Sequence, residues 1–334
     1  MGRRILVIQP AFLGDAVLAT SLVETLRAAE PDAVISLLVR KEAASLFDGH
    51  PFLDRVWAWD RGGGALRKYG RLLKLARAVR AARYDAVLNI HRHGSSAWIA
   101  LRSGAETVGF SSAPIGRLFT HRVEHAWGDG THEIERNAAL LRALGVRLDQ
   151  VNGPKLYPPE MGERTAGAIV LAPGSVWATK RWPAEKWVEL AGKLKGERPG
   201  TEILWMGGPA DRLMLEKAAR EAGAGRVVAG EFSLLESAGV MARAALVISG
   251  DSAPLHLASA VDAPTLGVFC STTEAFGFGP TSVRSAVVEV LPDQLACKPC
   301  GMHGRAACPL RHFKCGQDLG SEKVFEAAQQ LLAS

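Results

Sequence analysis

Apolar residues in this chain come in short unbroken runs, each followed by a turn and then a stretch with helical periodicity. "RRILVIQ" opens the series, Pro10 and Gly14 mark the turn, and "DAVLATSLVETLRAAEP" carries a helix that Pro31 stops. "AVISLLV", "RVWAW", "DAVLNI" and "ETVGF" are the next runs, with a long basic helical stretch between the second and third of these. Runs that are continuous rather than alternating predict parallel strands covered on both faces.

The pattern restarts after residue 162. "AIVLAPG", "TEILWMGGP", "RVVAG", "ALVISG" and "PTLGVFC" read as strands, and "AEKWVELAGKL", "DRLMLEKAAREAG", "SLLESAGVMARA" and "PLHLASAV" as the helices between them. "SEKVFEAAQQLLA" closes the chain as a last helix. Strictly alternating elements predict a doubly wound α/β architecture with right-handed crossovers. Between the halves, "VNGPKLYPPEMG" holds three prolines and two glycines and reads as a linker. The expected domains are therefore 1–155 and 163–334. Two such domains in tandem place a ligand cleft between the carboxyl ends of their strands.

Composition narrows the class. The chain has 334 residues, 48% hydrophobic and 22% charged, ordinary for a globular protein. No apolar run is long enough for a transmembrane helix. The basic-then-apolar start resembles a signal peptide, but Asp15 interrupts it and the punctuation is strand, turn, helix, so a cytoplasmic protein is expected. The formal charge is +6, and it is uneven: residues 1–155 carry 22 Lys and Arg against 15 Asp and Glu, the remainder 18 against 19. The first half is thus built to face something negative.

Three strand-to-helix turns in the second half are rich in polar and small residues. "LAPGSVWATKRWP" supplies Gly174, Ser175, Thr179 and Lys180; "WMGGP" supplies Gly207 and Gly208; "SGDSAPLHLA" supplies Asp251, Ser252, Ala253 and His256. Glycine lets backbone approach a ligand closely, and exposed N–H groups with a lysine suit a phosphate. Taken singly, Asp251 and Ser252 read equally as a helix cap and His256 as a core histidine. Three such turns at one end of a sheet favour a diphosphate site. No G-x-G-x-x-G follows a first strand and no G-x-x-x-x-G-K-[ST] occurs, which disfavours ordinary NAD dehydrogenases and P-loop NTPases. Sugar-nucleotide chemistry fits better.

"ILVIQPAFLGDAVLATSLVETLR", "PGSVWATKRWP", "GDSAPLHLASA" and "STTEAFGFGP" occur in the order seen in the lipopolysaccharide heptosyltransferases. The chain resembles that family, glycosyltransferase family 9, over nearly its whole length, and within it the heptosyltransferase II group. The resemblance implies a GT-B fold, two Rossmann-like domains facing across a cleft. It implies transfer, with inversion, of a heptose from ADP-L-glycero-D-manno-heptose to the lipopolysaccharide inner core, at the second heptose, with no cofactor required. The C-terminal domain would hold the donor through Gly174, Ser175, Thr179, Lys180, Gly207, Gly208, Asp251, Ser252, Ala253 and His256. The N-terminal domain would hold the anionic lipid-linked acceptor, with Gly14 and Arg92 among its contacts. Ala253 stands where the family commonly has glycine, so the backbone there must be ordinary. Asp211 is the only acidic residue close behind the "GGP" turn.

Inversion needs a base for the acceptor hydroxyl and positive charge for the departing diphosphate. Asp15, in "FLGDA", stands at the family's catalytic aspartate and reads either as that base or as a helix N-cap; Lys180 is the cation. "RKYGRLLKLARAVRAARY" sets Arg67, Lys68, Arg71, Lys74, Arg77, Arg80 and Arg83 around an apolar side. It fits either an anionic inner-membrane surface, touched peripherally, or a solvated helix face. In "NIHRHGSSAW", Arg92 follows a strand, with His91 and His93 as weaker candidates.

Cys297, Cys300, Cys308 and Cys315, with His303 and His312 among them, have a spacing that admits a structural zinc. Cys270, at a strand end, reads as a buried small hydrophobe. Two alternatives remain: a family member with another donor or acceptor, and a basic nucleic-acid-binding protein with a zinc loop. The second is disfavoured, because the basic excess and the cysteines lie in different halves and no nucleic-acid-binding motif occurs.

Overall fold

Ile5, Leu6, Val7 and Ile8 have no solvent exposure on either side of their strand, and that burial on both faces organises the molecule. The computed structural model describes residues 2–162 and 165–333. The expected domain start at 163 and the chain's first and last residues lie outside them. The chain divides into two compact units, one running to Trp127 and taking in Thr131–Tyr157, the other formed by Gly128–Gly130 and the chain from Pro158.

In the first unit the elements are β1 (Arg4–Gln9), α1 (Leu13–Ala29), β2 (Val34–Arg40), β3 (Arg55–Trp59), α2 (Ala65–Ala81), β4 (Ala86–Asn89), α3 (Gly94–Arg102), β5 (Glu106–Phe110), β6 (His121–Val123) and α4 (Glu133–Ala143). The sheet order is β3-β2-β1-β4-β5-β6, every pair parallel. Val7 pairs with Leu37 on one side and Leu88 on the other. Leu6, Ile8, Val87, Ile99 and Val79 belong to one buried cluster. α2 buries only Ala76 and Val79, so its basic residues remain outside. The last segment of the unit is stitched to α1: Thr25 Oγ1 accepts from Asn152 N (2.9 Å), Thr20 Oγ1 from Lys155 N (2.8 Å), and Tyr157 Oη donates to Glu24 Oε1 (3.1 Å).

The second unit repeats the scheme with β7 (Ile169–Ala172), α5 (Ala184–Glu197), β8 (Ile203–Trp205), α6 (Arg212–Ala222), β9 (Arg226–Val227), α7 (Leu234–Ala242), β10 (Leu246–Gly250), α8 (Ala253–Ser259), β11 (Thr265–Phe269), β12 (Ser285–Glu289), α9 (Lys314–Gln317) and α10 (Ser321–Ala333). Its order is β12-β11-β10-β7-β8-β9, again wholly parallel. Counted from each unit's own first strand, the two sheets have the same topology, 3-2-1-4-5-6, that of dinucleotide-binding folds. α10 packs Val324, Ala328 and Leu331 into the core formed by Leu171, Trp205 and Ile248.

The doubly wound α/β architecture read from the sequence is present in both halves. Sequence patterning passed over α3, β6, α4 and β12. It also placed the start of the first helix at Asp15, whereas α1 begins at Leu13 with Phe12 as its N-cap. Asp15 is therefore not the N-cap; it occupies the third helical position.

Candidate active site

A doubly wound sheet opens a crevice where strand order reverses, between the first and fourth strands of each unit. In the first unit these are β1 and β4. Asp15 lies six residues beyond the end of β1 and Arg92 three beyond the end of β4. Asp15 Oδ2 accepts a hydrogen bond from Phe12 N at 3.2 Å, which closes the first turn of α1, and Gly14 is its neighbour in that turn. Arg92 is half-buried, with its guanidinium 4.4 Å from the Trp127 ring centroid. Burial lowers its pKa from the ordinary value, while the charges of Glu133 and Asp15 oppose that shift. Glu133 in turn holds His125 Nε2 and Arg136 Nη1, each at 3.2 Å, in a buried cluster.

Two further cations stand at this edge that the sequence did not single out. Arg40, the last residue of β2, donates through Nε to Pro10 O at 3.0 Å. Arg61, two residues past β3, lies 5.1 Å from the Trp59 ring centroid, and its pKa is lowered by burial and by Arg40. Each is a basic residue at or just past a strand's end, and that is the signal available in the sequence. His91 sits among these charges. Burial, with His93, Arg61, Arg40 and Arg92, takes its pKa down to about 3.

The second unit's switch point lies between β7 and β10. Lys180 Nζ is 2.6 Å from Asp251 Oδ2, and both side chains are largely buried. Thr272 Oγ1 donates to the same oxygen at 2.6 Å. Asp251 is thus committed to Lys180 and Thr272, and Ser252, the N-cap of α8, makes no side-chain capping bond. Among the described residues, buried Ser252 Oγ has no hydrogen-bond partner. Ala253 opens α8, without a positive φ, as an alanine requires. His256 is buried inside α8, its ring edge-on to Phe278 with centroids 6.4 Å apart.

The glycines gather around one carboxylate. Asp211 Oδ2 accepts from Gly208 N at 2.9 Å, and a Cβ added at Gly207 or Gly174 would lie 2.9 or 3.2 Å from the same oxygen. Ser175 meets Arg181, whose Nε donates to Ser175 O at 2.6 Å. Thr179 stands one residue before Lys180. It is buried, and its hydroxyl accepts from Ser271 Oγ at 3.0 Å and from Arg305 N at 2.8 Å.

The four cysteines of the late loop, with Lys298 and His312, line one cavity of about 60 Å³. Cys297 Sγ is 3.9 Å from His312 Nε2. Slight burial works to raise the Cys308 pKa, but hydrogen bonds from the backbone of Phe313, Leu310, His312 and Arg311 outweigh it and lower the value. Burial pushes Cys315 up to about 11. Among the described residues, no three His, Cys, Asp or Glu side chains group closely enough to hold a metal ion. Cys270 is wholly buried, and its thiol is raised by that burial.

Two tandem Rossmann-like units of this topology make up the GT-B fold. The chain belongs to glycosyltransferase family 9, the heptosyltransferase family, whose model matches residues 72–306. It is similar to lipopolysaccharide heptosyltransferase 1 of Pseudomonas aeruginosa, 27% identical over 316 residues, covering 89% of this chain and 86% of that protein. Lipopolysaccharide heptosyltransferase 2 of Salmonella typhimurium is 26% identical over 314 residues, 86% of this chain and 88% of that one. The crystal structure of a family 9 glycosyltransferase from Veillonella parvula shares the fold, with a TM-score of 0.85 and 24% identity over 99% of this chain and 97% of that one.

The histidine environments carry a prediction. His50, lowered to about 4 chiefly by burial, and His91, at about 3, are neutral in the native state. Between pH 6.5 and those values the unfolded chain binds more protons, so acidification through that window removes stability. The ring C2–H resonances of both should hold constant from pH 8 to pH 5 by NMR, while Tm falls as pH drops below about 6.5. Either resonance titrating near pH 6.5 contradicts the burial argument.

Proposed function

We propose that the protein is an inverting glycosyltransferase that moves a heptose from ADP-L-glycero-D-manno-heptose to the inner core of lipopolysaccharide. The observation that carries this reading is the Lys180–Asp251–Thr272 cluster at the second unit's switch point, beside a Ser252 hydroxyl that has no hydrogen-bond partner among the described residues. Lys180 takes up the charge of the departing diphosphate. Gly174, Ser175, Gly207, Gly208, Ser252, Ala253 and His256 complete the donor side, and Asp211, set against the glycines, is the carboxylate we assign to the adenosine ribose.

Asp15 is the base. It removes the proton of the acceptor hydroxyl as that oxygen attacks the anomeric carbon, the bond from that carbon to the diphosphate oxygen breaks, and ADP departs. Gly14 and Arg92, with Arg40 and Arg61, meet the anionic acceptor, in keeping with the basic first half. We take the step to be the second heptose, on the resemblance of the turns to the heptosyltransferase II group. Relatives named for the first and second positions match at 27% and 26% identity, so an assay with acceptors truncated at successive sugars reads the step.

The work is done at the cytoplasmic face of the inner membrane, on this reading. Among the described residues no helix is long and apolar enough to cross a membrane. α2 instead offers a basic surface with Leu66 and Tyr69, 89% and 60% exposed, at its start, suited to peripheral contact with anionic lipid. The transfer uses no cofactor. The sequence spacing of the four thiols and His312 admits a structural zinc, although among the described residues they do not group closely enough to hold one. Elemental analysis of the purified protein decides: about one zinc per chain supports that role, and metal-free active protein ends it.

Lys180→Ala should weaken ADP binding by roughly 10- to 100-fold, because a charge-assisted contact is worth about 1.5–3 kcal/mol. Unchanged affinity in titration calorimetry removes Lys180 from the donor site. For the base, Asp15→Asn should cut turnover by roughly 10²–10⁴ with ADP affinity and Tm near wild type. Asn keeps an oxygen for the Phe12 N–H, so a purely structural Asp15 would leave the Asn variant active. Near-normal turnover overturns the mechanism.

A further inference from the structure

The proposed chemistry uses only Thr272 of "STTEAFGFGP", yet the motif's first two residues bond Asp251 itself and Thr179, the chain neighbour of Lys180. Ser271 and Thr272 follow β11 and are 1% and 2% exposed. Ser271 Oγ donates to Thr179 Oγ1, beside Lys180 in the chain, and Thr272 Oγ1 donates to Asp251 Oδ2. One dipeptide thus grips the turn that carries the cation and the carboxylate that faces it.

The cysteine loop closes the grip from the other side. Thr179 N donates to Arg305 O at 3.1 Å, and Arg305 N donates back to Thr179 Oγ1. Gly304 comes so close that an added Cβ would lie 2.4 Å from Trp177 Cβ and 2.9 Å from Lys180 Cγ. The loop is itself anchored to the sheet. Cys300 N donates to Ser271 O at 2.8 Å, and Lys298 Nζ pairs with Glu289 Oε2 at 2.5 Å in a nearly inaccessible place.

We infer that Ser271, Thr272, Thr179 and the Gly304–Arg305 backbone are positioning residues that set Lys180 and Asp251 at their working separation. An ammonium has three N–H bonds. One is given to Asp251, and fixing the pair fixes where the remaining two can meet an anion. The long stem of lysine would otherwise sample many rotamers, and holding it in one lowers the entropy cost of binding. None of these five residues need touch the ligand. The inference rests on Lys180 being the donor-site cation, and it assigns the cysteine loop a mechanical role whether or not the thiols hold metal.

Thr179→Val and Thr272→Val keep the shape of each side chain and delete the hydrogen bonds; Thr179→Ser and Thr272→Ser restore the hydroxyl. With ADP as the calorimetric probe on the full chain, each valine variant should raise the ADP Kd about tenfold. Each should raise donor KM in step and leave acceptor KM unchanged, and each serine variant should return ADP affinity to near wild type. Gly304→Ala, which pushes on Lys180 from the loop side, should show the same donor-only loss and stands in for any valine variant that fails to fold. Wild-type ADP affinity in the valine variants, or serine variants as weak as valine, overturns the inference. A wild-type chain that binds no ADP fails at a different point, since it removes the donor reading of Lys180 itself.

Discussion

A parallel sheet buried on both faces has no room for unpaired polar groups along its length, so chemistry must collect where the strands end. Both units of this protein obey that constraint with the same strand order. Strands such as Ile5–Ile8 and Leu246–Ile248 are wholly inaccessible, and the charged residues of the two candidate sites lie at the strand ends, in the turns beyond them or, for Asp15, in the first turn of the helix that follows. The helices that cover the sheet hold the turns in place. Asp15 and Arg92 are brought close by the adjacency of β1 and β4, although 77 residues separate them in sequence.

The two switch points differ in charge balance. In the second unit a buried cation meets a buried carboxylate, an arrangement whose desolvation cost is offset only when geometry and additional hydrogen bonds are good. Thr272 supplies such a bond to Asp251. In the first unit Arg40, Arg61 and Arg92 crowd one edge, with Asp15 and Glu133 as the carboxylates that act on Arg92. His91 stays neutral there because a further charge would be both desolvated and repelled. Clustered cations of this kind are unfavourable alone and favourable around an anion.

How much of this was legible in the sequence follows from which forces are local. Continuous apolar runs exposed most of the strands, and Gly174, Lys180 and Asp251 stood out because small and charged residues sit just past strands. β6 escaped because His121, Arg122 and Val123 form a polar edge strand, and β12 because its first three residues are only partly buried. Capping rules, which favour Asp over Phe12, leave the N-cap open as an alternative reading of Asp15. α1 nonetheless starts two residues earlier, and the carboxylate reaches back from the third helical position. Strand order is a non-local property, and the gathering of Arg40 and Arg61 near His91 depends on it. Nor does spacing reveal which way a hydroxyl points. Thr179 has the residue type of a phosphate ligand, and only the fold shows that its hydroxyl also accepts from Ser271 and Arg305.

The contrast between the two edges suits what each would have to do in a transfer reaction. An acceptor that is permanently anionic gains from an edge with surplus cations, since its charge persists through the reaction and draws it from solution. A diphosphate leaving group must be stabilised as it forms and then released. Lys180 shared with Asp251 attracts an anion less strongly than a lone buried lysine would, because part of its field is already neutralised. On the proposed donor role this would weaken ground-state affinity for ADP, yet keep the ammonium fixed to meet charge as it develops in the transition state, where preorganised groups lower the barrier. In the donor site we propose, Asp251 would have a place despite its sign: it would trade affinity for position and let the product go.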